Sequence, residues 1–283
     1  MIHLHNPNAD VYIPDGMDQD QAMSRTTHLA VSAHQDDLEI MAFHGIAECF
    51  GKTDLWFTGV VCTNGAGSPR TGVYADYSDE DMQEVRVQEQ RTASQIGRYG
   101  AMLQLGYSSA AMKDSENSRP DEDLVAVLRA TRPKIVYVHN PADKHSTHVA
   151  VAMSLIRALR RLAADERPEK LYGCEVWRNL DWLPDERKVI LNVSEREGLA
   201  ASLLGVFDSQ VAGGKRYDLA TLGRRRANAT YLASHATDSV EQATFAVDLS
   251  PLLSDDSRDT ASFMLELIDE FRASVHSQLT AMS

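Results

Sequence analysis

The residue types most able to do chemistry gather in two short clusters, His34-Gln35-Asp36-Asp37 and His145-Ser146-Thr147-His148. In the first, two adjacent carboxylates follow directly on the apolar run HLAVSAH at 28–34. Carboxylates brought together beside buried chain are costly unless something positive lies between them. A divalent cation is one solution, and a His and a carboxylate three residues apart at a strand-to-helix corner can converge on one ion. Helix capping by Asp36 or Asp37 is the other reading, because Asp is a favoured N-cap. In the second cluster, a helix would put His145 and His148 on one face. Three of the ten histidines fall within residues 139–148. A pair of solvated surface histidines is the plain alternative there. Together the clusters supply histidines and a carboxylate in the mix that zinc takes at catalytic sites, where three protein ligands leave a fourth position for water.

Elements must carry these clusters to one place. The run 28–34 reads as a buried strand, residues 39–50 as a helix, and LWFTGVVCT at 55–63 as a second buried strand entering the Gly-rich loop 63–72. From Ser78, a cluster of acids opens a helix that stops near Gly97 and Gly100. Further helices are expected at 119–133, from His145 to about 164, at 194–207, at about 215–234 and from about Arg258. Strands are expected at 134–140, 171–179, 188–193 and from 244. Strand alternating with helix implies an α/β fold, a parallel sheet with helices on both faces. Ligands bind such sheets beyond the carboxyl ends of the strands, and both clusters fall at expected strand ends. Residues 1–27, polar and holding Pro, Gly and Asp, read as an N-terminal extension on the surface.

The sequence around the clusters resembles the PIG-L/LmbE-like zinc-dependent N-deacetylase family. AHQDDLEIMAFHGIA is similar to its A-H-x-D-D-x-E signature, and PADKHSTHVAV to its second, roughly D-x-H-x-D-H-x-A. Arg86, Glu89, Ala93, Ile96 and Gly97 match its helix pattern R-x-x-E-x-x-x-A-x-x-I/L-G. Order and spacing agree over about residues 28–210. The resemblance implies a Rossmann-like three-layer α/β sandwich as one domain over 28–283, mainly parallel, whose part from about 170 extends or caps the sheet. It implies one Zn²⁺ per chain on His34, Asp37 and His148, with Asp36 as general base and His145 as general acid or electrostatic stabiliser. Arg70, closing the glycine loop, would hold polar groups of the substrate. The implied reaction removes an N-acyl group, most often N-acetyl, from an amino sugar or its conjugate. Three positions depart from the pattern. Gln35 replaces a frequent Pro, His44 a small residue, and Thr147 the acid that usually precedes the second histidine; Asp143 is a candidate to compensate.

Composition narrows the partners. The chain of 283 residues has a formal net charge of -13. So acidic a surface repels phosphate backbones and anionic lipid, which argues against nucleic acid and membrane as partners. No apolar run approaches the roughly 20 residues of a membrane helix. Cys49, Cys62 and Cys174 lack metal-type spacing and read as buried thiols in a reducing compartment. Without a signal pattern at the N-terminus, a cytoplasmic location is the expectation, and the sequons at Asn192 and Asn228 read as chance matches. Arg224-Arg225-Arg226 reads as a solvated helix face, and Trp56, Trp177 and Trp182 as packing residues. The spacing of Gly65 and Gly67 fails the dinucleotide fingerprint because Pro69 stands where its helix should start. A homo-oligomer is compatible with the sequence, with the N-terminal segment and the last helix as interface candidates. Other readings are a zinc-binding protein disabled at Thr147, a metal-dependent phosphoesterase and a nucleotide-binding module.

Overall fold

The computed structural model describes residues 2–283. Its strands are β1 (Asp10–Tyr12), β2 (His28–Ser32), β3 (Phe57–Thr63), β4 (Ala101–Tyr107), β5 (Ile135–His139), β6 (Lys170–Cys174), β7 (Lys188–Asn192) and β8 (Ala243–Asp248). They form an eight-stranded sheet in the order β1-β4-β3-β2-β5-β6-β8-β7. Strands β4, β3, β2, β5 and β6 run parallel, whereas β1, at one edge, is antiparallel to β4. At the other edge β8 is antiparallel to both β6 and β7. The expected mixed α/β architecture with a mainly parallel sheet is therefore present, and the late strands β7 and β8 widen it.

The three layers follow from side-chain alternation along buried strands. On β2, Leu29 and Val31 face one core while Ala30 faces the other; on β5, Val136 and Val138 face the first and Tyr137 the second. The first core is closed by the helices Arg119–Thr131 and Ser146–Arg160, through Leu124, Leu128, Leu155 and Leu159. The second is closed by Asp37–Met41, Phe43–Cys49 and Glu197–Gly205, through Leu38, Phe43, Ile46 and Leu203. Both faces of these strands are covered, so their sequences are continuously apolar instead of alternating.

The structure differs from the sequence reading at three elements. Within the N-terminal segment, residues 10–24 are tied into the fold: β1 pairs with β4, and the helix Gln19–Ser24 buries Ala22 and Met23. Strand β4, AMLQLGY, is not among the strands expected from the sequence; its burial comes from the sheet around it. The helix expected at 39–50 starts at Asp37 and breaks at Ala42. The helix Asp79–Ile96 begins as expected, with Ser78 and Asp81 capping each other reciprocally. All three cysteines are buried and free. Asn228 is buried, bonded to Glu175 and to the Ala243 carbonyl, and so is closed to glycosylation in the folded chain. Among the described residues no helix is long and apolar enough to cross a membrane.

Candidate metal centre and cavity

Strands β2 and β5 are neighbours, and the chain leaves β2 toward β3 but leaves β5 toward β6, in opposite directions across the sheet. That reversal opens a crevice at the carboxyl ends of β2 and β5. The chain leaves β2 through Ala33 to Asp37, and leaves β5 through Asn140 to His148. The turn after β2 requires Asp36 at φ +87°, a left-handed conformation that side chains other than glycine seldom hold. It places Asp36 and Asp37 on either side of a helix start.

Three donor atoms meet there. His34 Nδ1 lies 3.2 Å from Asp37 Oδ2. His148 Nε2 lies 3.3 Å from the same carboxylate oxygen and 3.2 Å from His34 Nδ1. Ligands at zinc's usual bond lengths and tetrahedral angles stand roughly 3.3–3.4 Å apart. These spacings match those of ligands around one cation, and His145 and His139 stand close enough to share it, in the groups His34–His145–His148 and Asp37–His139–His148. The electrostatics agree. Burial alone would raise Asp37, but His148 and His139 outweigh it and hold the carboxyl well below its ordinary range. Burial opposes charge on His148, yet Asp37 and Asp143 raise it to about 9. A centre that retains a proton so firmly is one of negative potential, suited to a cation.

Behind the triangle, Asp143 Oδ2 stands 3.5 Å from His148 Nδ1, and the two carboxylate oxygens also accept from the backbone N–H groups of His145 and Trp177. Asp143 therefore orients His148 and the loop, not the His145 ring. Thr147 is buried in the helix, and His145 Nδ1 is buried without a partner. Burial, followed by the neighbouring His148 and His34, lowers the His145 pKa. His139 is fully buried; its Nε2 accepts from the Ala33 N–H at 2.9 Å, so that lone pair serves the backbone. Burial pushes it down to about 4.

Asp36 faces the cavity beside the triangle. Its Oδ2 is 3.5 Å from Arg86 Nη2, and Arg86 in turn is 3.6 Å from Glu89. Burial raises the Asp36 carboxyl, with Asp37 and Glu39 adding to the rise against the pull of Arg86. Glu39 is held in the core by the Tyr99 hydroxyl at 2.7 Å and the Gln90 amide at 2.8 Å. The polar residues of the first signature thus take separate places, with His34 and Asp37 in the triangle, Asp36 at the cavity and Glu39 in the framework.

The cavity has a volume of about 560 Å³, and His34, Asp36, Asp37 and His145 are on its wall. Arg70 is not. Its guanidinium donates to the Ala66 carbonyl and pairs with Asp79, while its neighbours Ser68 and Pro69 do line the space. His44 bonds to the Tyr137 hydroxyl away from the wall, and His235 is exposed. One expectation is extended and one corrected. Trp177 packs against the second core, as expected, and also lines the cavity, stacked 6.4 Å from His145 with Lys215 Nζ 5.1 Å from its ring centre. Arg225 is 2% exposed and, with Arg224, lines the cavity; only Arg226 of the triplet lies on the solvated face, paired with Glu197. Helical spacing does separate 225 from its neighbours by about 100° each, but nothing in three like charges tells which one faces inward.

A sheet crevice with three metal-type donors and an acid beside them defines this as an α/β protein with a candidate catalytic metal centre. Residues 29–159 match the model of the PIG-L family, described as GlcNAc-PI de-N-acetylase. That segment, a little under half of the chain, contains both polar clusters, and over it the chain is similar to the PIG-L family, as the motifs implied. Among solved structures, a conserved protein of Thermus thermophilus is 22% identical, covering 82% of this chain and 98% of that one, with a TM-score of 0.59. The 4-carboxy-2-hydroxymuconate hydratase of Pseudomonas putida is 16% identical, with coverage of 79% and 95% and a TM-score of 0.60. The N,N'-diacetylchitobiose deacetylase of Pyrococcus horikoshii is 15% identical, with coverage of 82% and 86% and a TM-score of 0.61. No curated protein matches the chain by sequence.

Proposed function

We propose that this protein is a zinc-dependent hydrolase that removes an N-acyl group, most often N-acetyl, from an amino sugar or amino-sugar conjugate. The observation that carries this reading is the triangle of His34 Nδ1, Asp37 Oδ2 and His148 Nε2 with Asp36 beside it on the cavity wall. The PIG-L family match and a solved neighbour named as a diacetylchitobiose deacetylase support the amide chemistry.

His34, Asp37 and His148 would hold the zinc. When bound, the ion supplies Lewis acidity, which polarises a carbonyl and acidifies water. Asp36 takes the proton from the attacking water, and the Arg86 guanidinium 3.5 Å away favours the ionised carboxylate that a base requires. Arg86 keeps that carboxylate oriented. His145 delivers a proton to the amine nitrogen, which leaves poorly unless protonated. The Trp177 face beside His145 gives the sugar ring a surface to lie on.

The neighbouring hydratase means that fold alone does not separate amide hydrolysis from addition of water to a double bond. Two measurements separate them. Metal content by mass spectrometry should give about one zinc per chain, largely lost in His148→Ala. Acetate release should then follow zinc loading across a panel of N-acetylated amino sugars. Zinc binding with no acetate from any of them would leave the hydratase reading or a disabled metal-binding protein; no metal after zinc is supplied would end the hydrolase reading.

A further inference from the structure

The cavity wall is positively charged although the chain is strongly acidic. Arg224, Arg225, Lys215 and Lys113 line it, and none of them makes an ion pair with a carboxylate among the described residues. Arg86, a fifth wall cation, is occupied by Asp36 and Glu89. The other acids on the wall are committed. Asp37 belongs to the donor triangle, and Glu175 accepts from the Phe245 N–H at 3.0 Å, the Leu180 N–H at 3.1 Å and Asn228.

Arg225 is the centre of this group. Its Nη2 donates to the carbonyls of Glu39 and Ile40 at 2.8 and 3.2 Å, inside the short helix that begins at Asp37. Phe43 lies under it, with the guanidinium carbon 4.7 Å from the ring centre. Its Nε and Nη1 are buried and have no hydrogen-bond partner. A guanidinium buried with two nitrogens unsatisfied is costly. Carbonyl contacts and an aromatic face orient such a group, and the nearby Glu175 carboxylate, spent on its own N–H donors, acts on it only through space without forming an ion pair. What would neutralise it is an oxyanion arriving through the cavity, to which the planar fork is well matched. Lys215, held over Trp177, and Arg224 extend the same positive field.

We infer that the substrate carries an oxyanion, a phosphate or a carboxylate, that binds Arg225 with Lys215 and Arg224 on the cavity wall beside the candidate metal centre. This specifies the substrate class of the site and rests on the N-deacylase reading. The negative exterior then acts as a filter: small anions enter only where the cavity field reverses, and polyanions are turned away.

The test is calorimetric binding to the zinc-loaded protein of three probes: N-acetylglucosamine, N-acetylglucosamine 6-phosphate and N-acetylmuramic acid, which carries a carboxylate. At least one anionic sugar should bind roughly tenfold or more tighter than the neutral one, and that advantage should vanish in Arg225→Gln. Should Arg225→Gln fail to fold, the double variant Arg224→Gln/Lys215→Gln takes its place and should reduce the advantage severalfold. Equal binding of all three probes overturns the inference. So does an advantage that survives the substitutions, since the anion would then sit on the metal. Acetate release is read separately. Anion-selective binding without acetate release would sink the deacylase reading while leaving the oxyanion site standing. Acetate released as fast from the neutral sugar, with no binding advantage for the anions, would sink the oxyanion site alone.

Discussion

Asp36 and Asp37 are adjacent in sequence and opposite in electrostatic fate. Both are buried, yet Asp37 faces imidazoles and is driven down, whereas Asp36 faces Asp37, Glu39 and a single arginine and is driven up. The left-handed backbone at Asp36 is what turns the two side chains apart. Their substitution should therefore separate two properties. Asp36→Asn is expected to keep its zinc and lose roughly a hundredfold to ten-thousandfold in turnover, the usual worth of a positioned base; metal analysis alongside acetate release checks both halves. Asp143→Asn acts on His148 and, if His148 holds the proposed zinc, should weaken zinc binding roughly 10- to 100-fold. Competition with a chelator measures that, and unchanged zinc affinity would mean that the 3.5 Å approach to His148 is incidental.

At the scale of elements, the site depends on how closely the loop after β3 approaches the helix Asp79–Ile96. Gly65 has φ +75°, and a Cβ there would stand 2.8 Å from Gln35 Oε1, 2.9 Å from Arg86 Cγ and 3.0 Å from Arg86 Cβ. The glycine is thus required twice, by conformation and by contact, and has no part in phosphate binding of the dinucleotide kind. Gly65→Ala should cost about 1–2 kcal/mol from the left-handed conformation alone. It should also push Arg86 off Asp36 and so lower turnover. A reduced denaturant midpoint with an unchanged slope would register the stability loss; full stability and full activity together would contradict the close packing.

Across the whole molecule, Glu175 is the buried acid that joins the late part of the chain to the parallel core. It follows β6, and its carboxylate receives N–H groups from Phe245 on β8 and from Leu180, together with Asn228 on the helix Tyr217–Thr230. Burial raises its pKa despite these donors. The folded state accordingly binds the Glu175 proton more tightly than the unfolded chain does. Its contribution is fullest below the unfolded carboxyl range near about 4.3 and is lost as pH rises through the folded value. Glu175→Gln cannot ionise, so any stability deficit relative to wild type should shrink as pH is raised from the acid side toward neutrality. Thermal unfolding of both proteins across that range tests the sign, and a deficit that widened with pH would reverse it.

The sequence by itself determined the local features. Apolar runs, caps and turn residues placed most strands and helices, because those signals lie within a few residues of one another. The two polar clusters at strand ends were legible for the same reason, and their spacing carried the family resemblance that residues 29–159 bear out. Only the tertiary structure decided what depends on long-range packing. It made β4 a buried strand and drew residues 10–12 into the sheet edge, since pairing partners from elsewhere in the chain supply the hydrogen bonds. It put Arg70 with Asp79 outside the cavity, and brought Trp177, Lys215 and Arg225 from the late part of the chain to the wall facing the triangle. A run of three arginines reads as solvated because charge favours water; which one is buried is set by the helix's rotation against β8 and the short helix at Asp37, a relation that no local spacing encodes.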